Sequence, residues 1–162
     1  KGLKEMTFFI PTSNDAEIPS IEEMAESKFL LKDPNGVLVI PPGADILEKI
    51  EDDVKIDFTN MDLNKLCEVL PPFISDNLGL AREMEMTLQE SMVNIKIFGS
   101  IYRDLYKKEA SLESVRILGC PIISAVACAL AKATGKSVTL QDLKVLPNDQ
   151  IEVQCKIIQG RD

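Results

Sequence analysis

The sequence predicts an α+β fold, an antiparallel sheet of two or more hairpins packed against helices. Three observations carry it. Three segments alternate apolar and polar residues with a period of two, two stretches repeat apolar residues at helical spacing, and the fifteen uncharged residues from Ile117 to Ala131 read as a buried helix. Residues 61–158 thus order as α-α-β-β-α-α-β-β. Residues 1–58 add an integral N-terminal strand and helix extension, making 1–162 a single domain.

Proline punctuates the first third, at Pro11, Pro19, Pro34 and the pair Pro41-Pro42. Met6 to Ile10 reads as a strand. Ser20 followed by Glu23 is a capping box that starts a helix from Ile21 to about Ser27. Asp33-Pro34-Asn35-Gly36 is a turn, Val37 to Ile40 a buried strand, and Ala44 to Glu51 a short helix with Ile46, Leu47 and Ile50 on its apolar face.

From residue 60 the signals strengthen. Asn60 caps a helix carrying Leu63, Leu66, Cys67 and Leu70, which Pro71-Pro72 ends or kinks. Phe73 to Leu78 resumes as helix, with Gly79 at its C-terminus. Met84, Met86 and Leu88 alternate with polar neighbours, as do Val93, Ile95 and Ile97, and Gln89 to Met92 joins the two strands. A helix from about Ile101 to Lys108 precedes a polar connection containing Ser111 and Ser114. Cys120 and Pro121 then start the clearest helix, closed by Gly135, before a second hairpin of Val138 to Leu146 and Ile151 to Ile157.

Composition narrows the function. Lys and Arg number 18 against 26 Asp and Glu, a net charge of −8, and there is no histidine. A carboxylate excess repels phosphate backbones and anionic lipid, so no nucleic-acid partner is expected. Without histidine there is no Ser-His-Asp or Cys-His arrangement and no His-ligated zinc. The cysteines Cys67, Cys120, Cys128 and Cys155 form no close pair, so they read as reduced thiols in an intracellular protein, with no metal site. No cofactor is implied. Gly135-Lys136-Ser137 lacks the first glycine of a phosphate-binding loop and leaves a helix for a strand, the reverse of that motif. The carboxylates Glu83 and Glu85, and the group Glu48, Glu51, Asp52 and Asp53, read as solvated surface. The uncharged run is shorter than the roughly 20 residues that cross a bilayer. The chain starts Lys-Gly-Leu-Lys without Met or signal peptide, which suggests a domain cut from a longer one.

Two features suggest chemistry. Cys120 at a helix N-terminus faces unpaired N–H groups and a partial positive charge, which can stabilise a thiolate. The helix it opens is dense in small residues, among them Ser124, Ala125, Ala127, Cys128, Ala129, Ala131 and Ala133. Small residues on more than one face imply close packing against a sheet, a second helix, a ligand or a second copy. Cys120, Ser124, Ala127, Cys128 and Ala131 are therefore the candidate ligand- or partner-binding residues, and replacing Ser124 or Ala127 by Leu is expected to abolish binding while the fold survives.

From Gly119 to Lys136, with Ile40-Pro41-Pro42-Gly43 upstream, the chain resembles a family of uncharacterised archaeal proteins from methanogens. The resemblance implies a cytoplasmic soluble domain behind hydrophobic anchoring segments. Over residues 61–158 the order of elements resembles the vinyl-reductase-like fold shared with subunits of the vesicle-tethering TRAPP complex. That resemblance implies binding of small hydrophobic molecules or of partner subunits.

The reading is a non-enzymatic binding module for a small hydrophobic ligand or a protein partner, with homo-oligomerisation as one form of partnership. A thiol-dependent enzyme or redox sensor using Cys120, and a purely structural dimerisation domain, are the alternatives.

Overall fold

Three short strands make the first sheet, β1 (Phe8–Pro11), β2 (Leu30–Lys32) and β3 (Asn35–Val39), antiparallel in the order β1-β3-β2. The computed structural model describes residues 6–13, 15–26, 29–107 and 113–159. It divides the chain into two compact units, 1–41 and 42–162. The N-terminal extension expected over residues 1–58 thus spans the smaller unit and the start of the larger.

In the smaller unit, β2 was not expected, because three residues are too few to display a period. It pairs with β3 across the turn at Asp33 and Pro34. Gly36 is required where it stands, since a Cβ there would overlap the ring of Phe9 and the carbonyl of Ile10. The helix α1 (Ile21–Glu26) begins with the expected capping box: Ser20 N–H donates to Glu23 Oε2 at 2.7 Å, and Glu23 N–H to Ser20 Oγ at 3.2 Å. Ser27, its expected end, lies outside the described residues.

The larger unit opens with α2 (Ala44–Val54), a turn longer than expected, closed by Lys55 at a φ of 53°. Next comes α3 (Leu63–Pro72), capped by Asp62 and not by Asn60: the Asp62 carboxylate accepts from Asn64 N–H at 3.0 Å and Lys65 N–H at 3.1 Å. Asn60 instead turns the chain, at a φ of 58°. The α-helical run ends at Pro72, as the proline pair predicts, but the chain does not leave the helical path. Lacking N–H groups, the prolines shift the ladder, and Phe73–Asn77 continues as a π-helical turn in which Leu78 N–H reaches back to the Phe73 carbonyl at 2.9 Å. Gly79 follows in the left-handed region.

The second sheet holds β4 (Glu83–Gln89), β5 (Met92–Phe98), β6 (Val138–Leu146) and β7 (Gln150–Ile157), all antiparallel, in the order β4-β5-β7-β6. Both expected hairpins are there, joined through the central pair β5 and β7. Met84, Met86, Val93, Ile95, Ile97, Ile151, Val153, Cys155 and Ile157 are buried on one face. Over that face lie α3, against β4, and α5 (Pro121–Thr134), against β6 and β7. Both edges are blunted. Glu83 and Glu85 stand exposed on β4, and between Gln141 and Lys144 β6 bulges, placing Asp142 and Leu143 opposite Val153.

Two expectations for the connection between the hairpins are corrected. The helix from Ile101 to Lys108 is only a 3-10 turn, Arg103–Tyr106, where the Ser100 hydroxyl accepts from Tyr102 N–H at 3.1 Å and Lys107 is already extended. Ser114 does not lie in an irregular link but on α4 (Glu113–Leu118); Lys108 and Ser111 lie outside the described residues. Residues 113–134 are apolar and long enough to cross a membrane, but 67% of their most apolar window is buried, and Gly119 and Cys120 separate α4 from α5. The segment is read as core.

Candidate functional site

The small-residue helix α5 is enclosed by its own unit. Ten of its fourteen residues are buried, and α2, α3, β6 and β7 pack around it. Cys120, Ser124, Ala127 and Cys128 are buried and Ala131 half-buried. Ser124 and Ala127 are 0% and 3% exposed, so a Leu at either position would overpack the core, at a cost of about 1–3 kcal/mol.

A backbone contact explains the small side chains. Gly43, just before α2, lies so close to α5 that a Cβ on it would overlap the Pro121 carbonyl and the Ala125 backbone. Its N–H donates to Ser124 Oγ at 2.9 Å. Of the neighbours that the sequence left open, a second helix takes this position.

At the other end of α5, the Lys132 ammonium donates to both Glu51 carboxylate oxygens at 2.7 Å and lies 3.4 Å from Asp57 Oδ1. Glu51 Oε1 also accepts from the N–H of Phe58, whose ring is fully buried. Burial pushes the Lys132 pKa down, but hydrogen bonding to Glu51 and the charges of Glu51 and Asp57 outweigh it, and the pKa is raised. Thus α2, α5 and the loop at 55–59 are tied at one point.

Cys120 is the N-cap of α5 and makes no side-chain capping bond. Its N–H donates to Tyr106 Oη at 2.9 Å. The Tyr106 pKa is pushed well up, first by burial and then by the adjacent Cys120 thiol. Burial alone pushes Cys128 and Cys155 up to about 12, and Cys67 is raised by burial and by the charges of Asp62 and Glu68. Among the described residues no group of three or more His, Cys, Asp or Glu side chains could hold a metal.

The face of the second sheet opposite α3 and α5 carries Glu83 and Glu85, expected as solvated surface, together with polar residues that no sequence motif singles out. Register places Glu85, Lys96, Glu152 and Lys144 in one row across β4, β5, β7 and β6, alternating in sign. In the next row Gln154 Nε2 donates to Asn94 Oδ1 at 2.9 Å. Between the rows is a hollow of about 120 Å³ bordered by Asn94, Lys96, Asp142, Lys144, Glu152 and Gln154. Alternation places Glu85, Asn94, Lys96, Glu152 and Gln154 on the polar side of their strands; Asp142 and Lys144 stand at the β6 bulge, where no alternation shows. The strand order that lines up their charges is non-local.

The smaller unit differs. Across its sheet Ile10, Val37 and Leu30 share one face, while Phe9 and Leu38 pair on the other, so both faces are apolar. Phe29, Leu30 and Ile40 are 58%, 65% and 77% exposed.

Among solved structures, the chain is similar to a trafficking protein particle complex subunit 3 from Naegleria fowleri covalently bound to palmitic acid. Identity is 11% and the TM-score 0.45, over 72% of this chain and 74% of that one. No curated protein matches the chain. A family model described as Domain of unknown function (DUF7982) matches residues 1–157.

Proposed function

The chain belongs to the family described as Domain of unknown function (DUF7982), and we propose that it works as a non-enzymatic binding module for a protein partner, engaged through the smaller unit. The supporting observation is the exposure of Phe29, Leu30 and Ile40 beside a sheet that is apolar on both faces. Leu31 and Leu38 are buried on one face of this sheet, while Phe29, Leu30 and Ile40 around it stay exposed, and large apolar side chains left exposed together on one small unit point to an interaction site. The buried α5 residues fit this reading as scaffold, because an occupant reaching Ser124 or Cys128 would first have to displace their neighbours. By resemblance the reading keeps a cytoplasmic setting in an archaeal, membrane-anchored protein.

Photo-crosslinking in the producing cells tests it, with a benzophenone-bearing residue in place of Leu30 and, as control, in place of Glu85. A discrete protein adduct from position 30, absent from position 85 and lost in Ile40→Asp, is the expected result. No adduct from position 30, or the same adduct from both positions, overturns it. An adduct of lipid-sized mass would move the reading to a small hydrophobic ligand.

A further inference from the structure

The charges on the open face of the second sheet are arranged so that a copy of the same face would complement them. We infer that two copies of this chain pair through this face, with Lys96 of each set against Glu152 of the other.

The face is nearly neutral on a strongly acidic chain. It carries Lys96, Lys144 and Lys156 against Glu83, Glu85, Glu152 and Asp142, a net charge of −1, where the whole chain has −8. Two copies approaching elsewhere would on average meet like charge, whereas approach here carries little of that repulsion.

The row Glu85, Lys96, Glu152, Lys144 also selects one geometry. A two-fold axis along the strands, running between β5 and β7 in the contact plane, lays β5 of one copy over β7 of the other and β4 over β6. Lys96 then lies over Glu152 and Glu85 over Lys144, giving four complementary pairings. An axis along the row would instead set Lys96 over Lys96. Twist rotates stacked sheets by about 30°, so alignment is best at the centre, where Lys96 and Glu152 stand.

The four charges are also free to serve another molecule. None of the ion pairs within 4 Å among the described residues joins two of them. Glu152 Oε1 is steadied by Gln150 Nε2 at 2.7 Å, and the amide bond between Gln154 and Asn94 orders the surface beside it. Four strands by seven residues give a face of roughly 20 by 23 Å, or about 900 Å² counting both copies. That is below the size of a standard stable interface, so the pair is weak and concentration-dependent, with a dissociation constant of about 10 µM or more.

Sedimentation equilibrium of the whole chain tests this through a mixing experiment. Lys96→Glu and Glu152→Lys each place like charges at both central contacts and are expected to weaken self-association about tenfold or more. Mixed in equal amounts, the two variants make both contacts complementary again, and pairing is expected to return as a heterodimer. Raising salt from about 50 to 500 mM should weaken the wild-type pair. Thermal melts of each variant show whether it is folded, and a charge change at Glu22, on the other unit, serves as control. A wild-type chain that stays monomeric at about 1 mM overturns the inference. So does self-association unaffected by either single reversal, or variants that fail to pair when mixed.

Discussion

The N–H of Gly43 donates to Ser124 Oγ at 2.9 Å, both residues buried, across 81 positions of sequence. This bond joins the start of α2 to α5 at a point where the two backbones nearly touch. Ser124→Ala removes the acceptor and leaves the Gly43 N–H buried and unpaired, a cost of about 1–3 kcal/mol. Gly43→Ala forces a methyl group against the α5 backbone and should cost at least as much. Urea unfolding measures both, and a loss under about 0.5 kcal/mol in either variant would contradict the contact.

The clasp around Lys132 makes a prediction about alkaline pH. Its folded-state pKa is raised above the unfolded value of about 10.4, so its stabilisation is complete below that value and is lost as pH rises through the folded one. The wild type should therefore lose more of its melting temperature between about pH 9 and 12 than Lys132→Met does. At neutral pH that variant should be less stable by about 1.5–3 kcal/mol, because Glu51 keeps its partly buried carboxylate without the ammonium. Parallel pH profiles for the two chains would reject the clasp.

Thiol labelling separates a scaffold role for Cys120 from a reactive one. Cys120, Cys128 and Cys155 are buried, and the last two have pKa values pushed up to about 12, whereas Cys67 is half-buried. Iodoacetamide at about pH 8 should modify Cys67 first, and more slowly than a free thiol, since its own pKa is raised. The other three should react only as fast as the larger unit opens. Selective labelling of Cys120 would restore the thiol-enzyme reading.

Removing the cap of α3 should show which residue holds it. Asp62→Ala takes an acceptor from two N–H groups and is expected to cost about 1 kcal/mol. Asn60→Gly keeps the turn that a φ of 58° demands and should cost nothing measurable or stabilise slightly. Equal losses from both, read by thermal unfolding, would mean that Asn60 shares the cap.

Period and punctuation made much of this fold legible. The strands β4, β5 and β7 followed from alternation, β6 from the turn at Pro147-Asn148-Asp149 before β7, and α5 from its opening Cys120-Pro121 and closing Gly135. The capping box of α1 was also readable, because each of its bonds spans only three residues. The short elements β2 and α4 escaped, since neither completes two periods and neither carries a capping box to announce it. Pro71-Pro72 marked the end or kink of α3, and the resumption at Phe73, because proline cannot donate to the helical ladder. That the ladder can lengthen by one residue and continue depends on the residues beyond. For the candidate site, the crowd of small residues on α5 was visible but its cause was not. Gly43 approaches from a distant part of the chain, and no local pattern announces it. The charge row across the second sheet was hidden in the same way, each residue plain on its own strand and their alignment set only when β5 meets β7.

The blunted edges of that sheet bear on how far the inferred pairing could extend. Exposed backbone on a terminal strand can recruit another strand, then another, and grow into a filament. Here the carboxylates of Glu83 and Glu85 guard one side, and the bulge at Asp142 and Leu143 spoils the hydrogen-bonding register of the other. An exposed face, once occupied by its twin, offers nothing to a third molecule. If the inferred pairing holds, concentrating the protein should bring the assembly formed through this sheet to two copies and a plateau in mass, with no growth along the sheet edges.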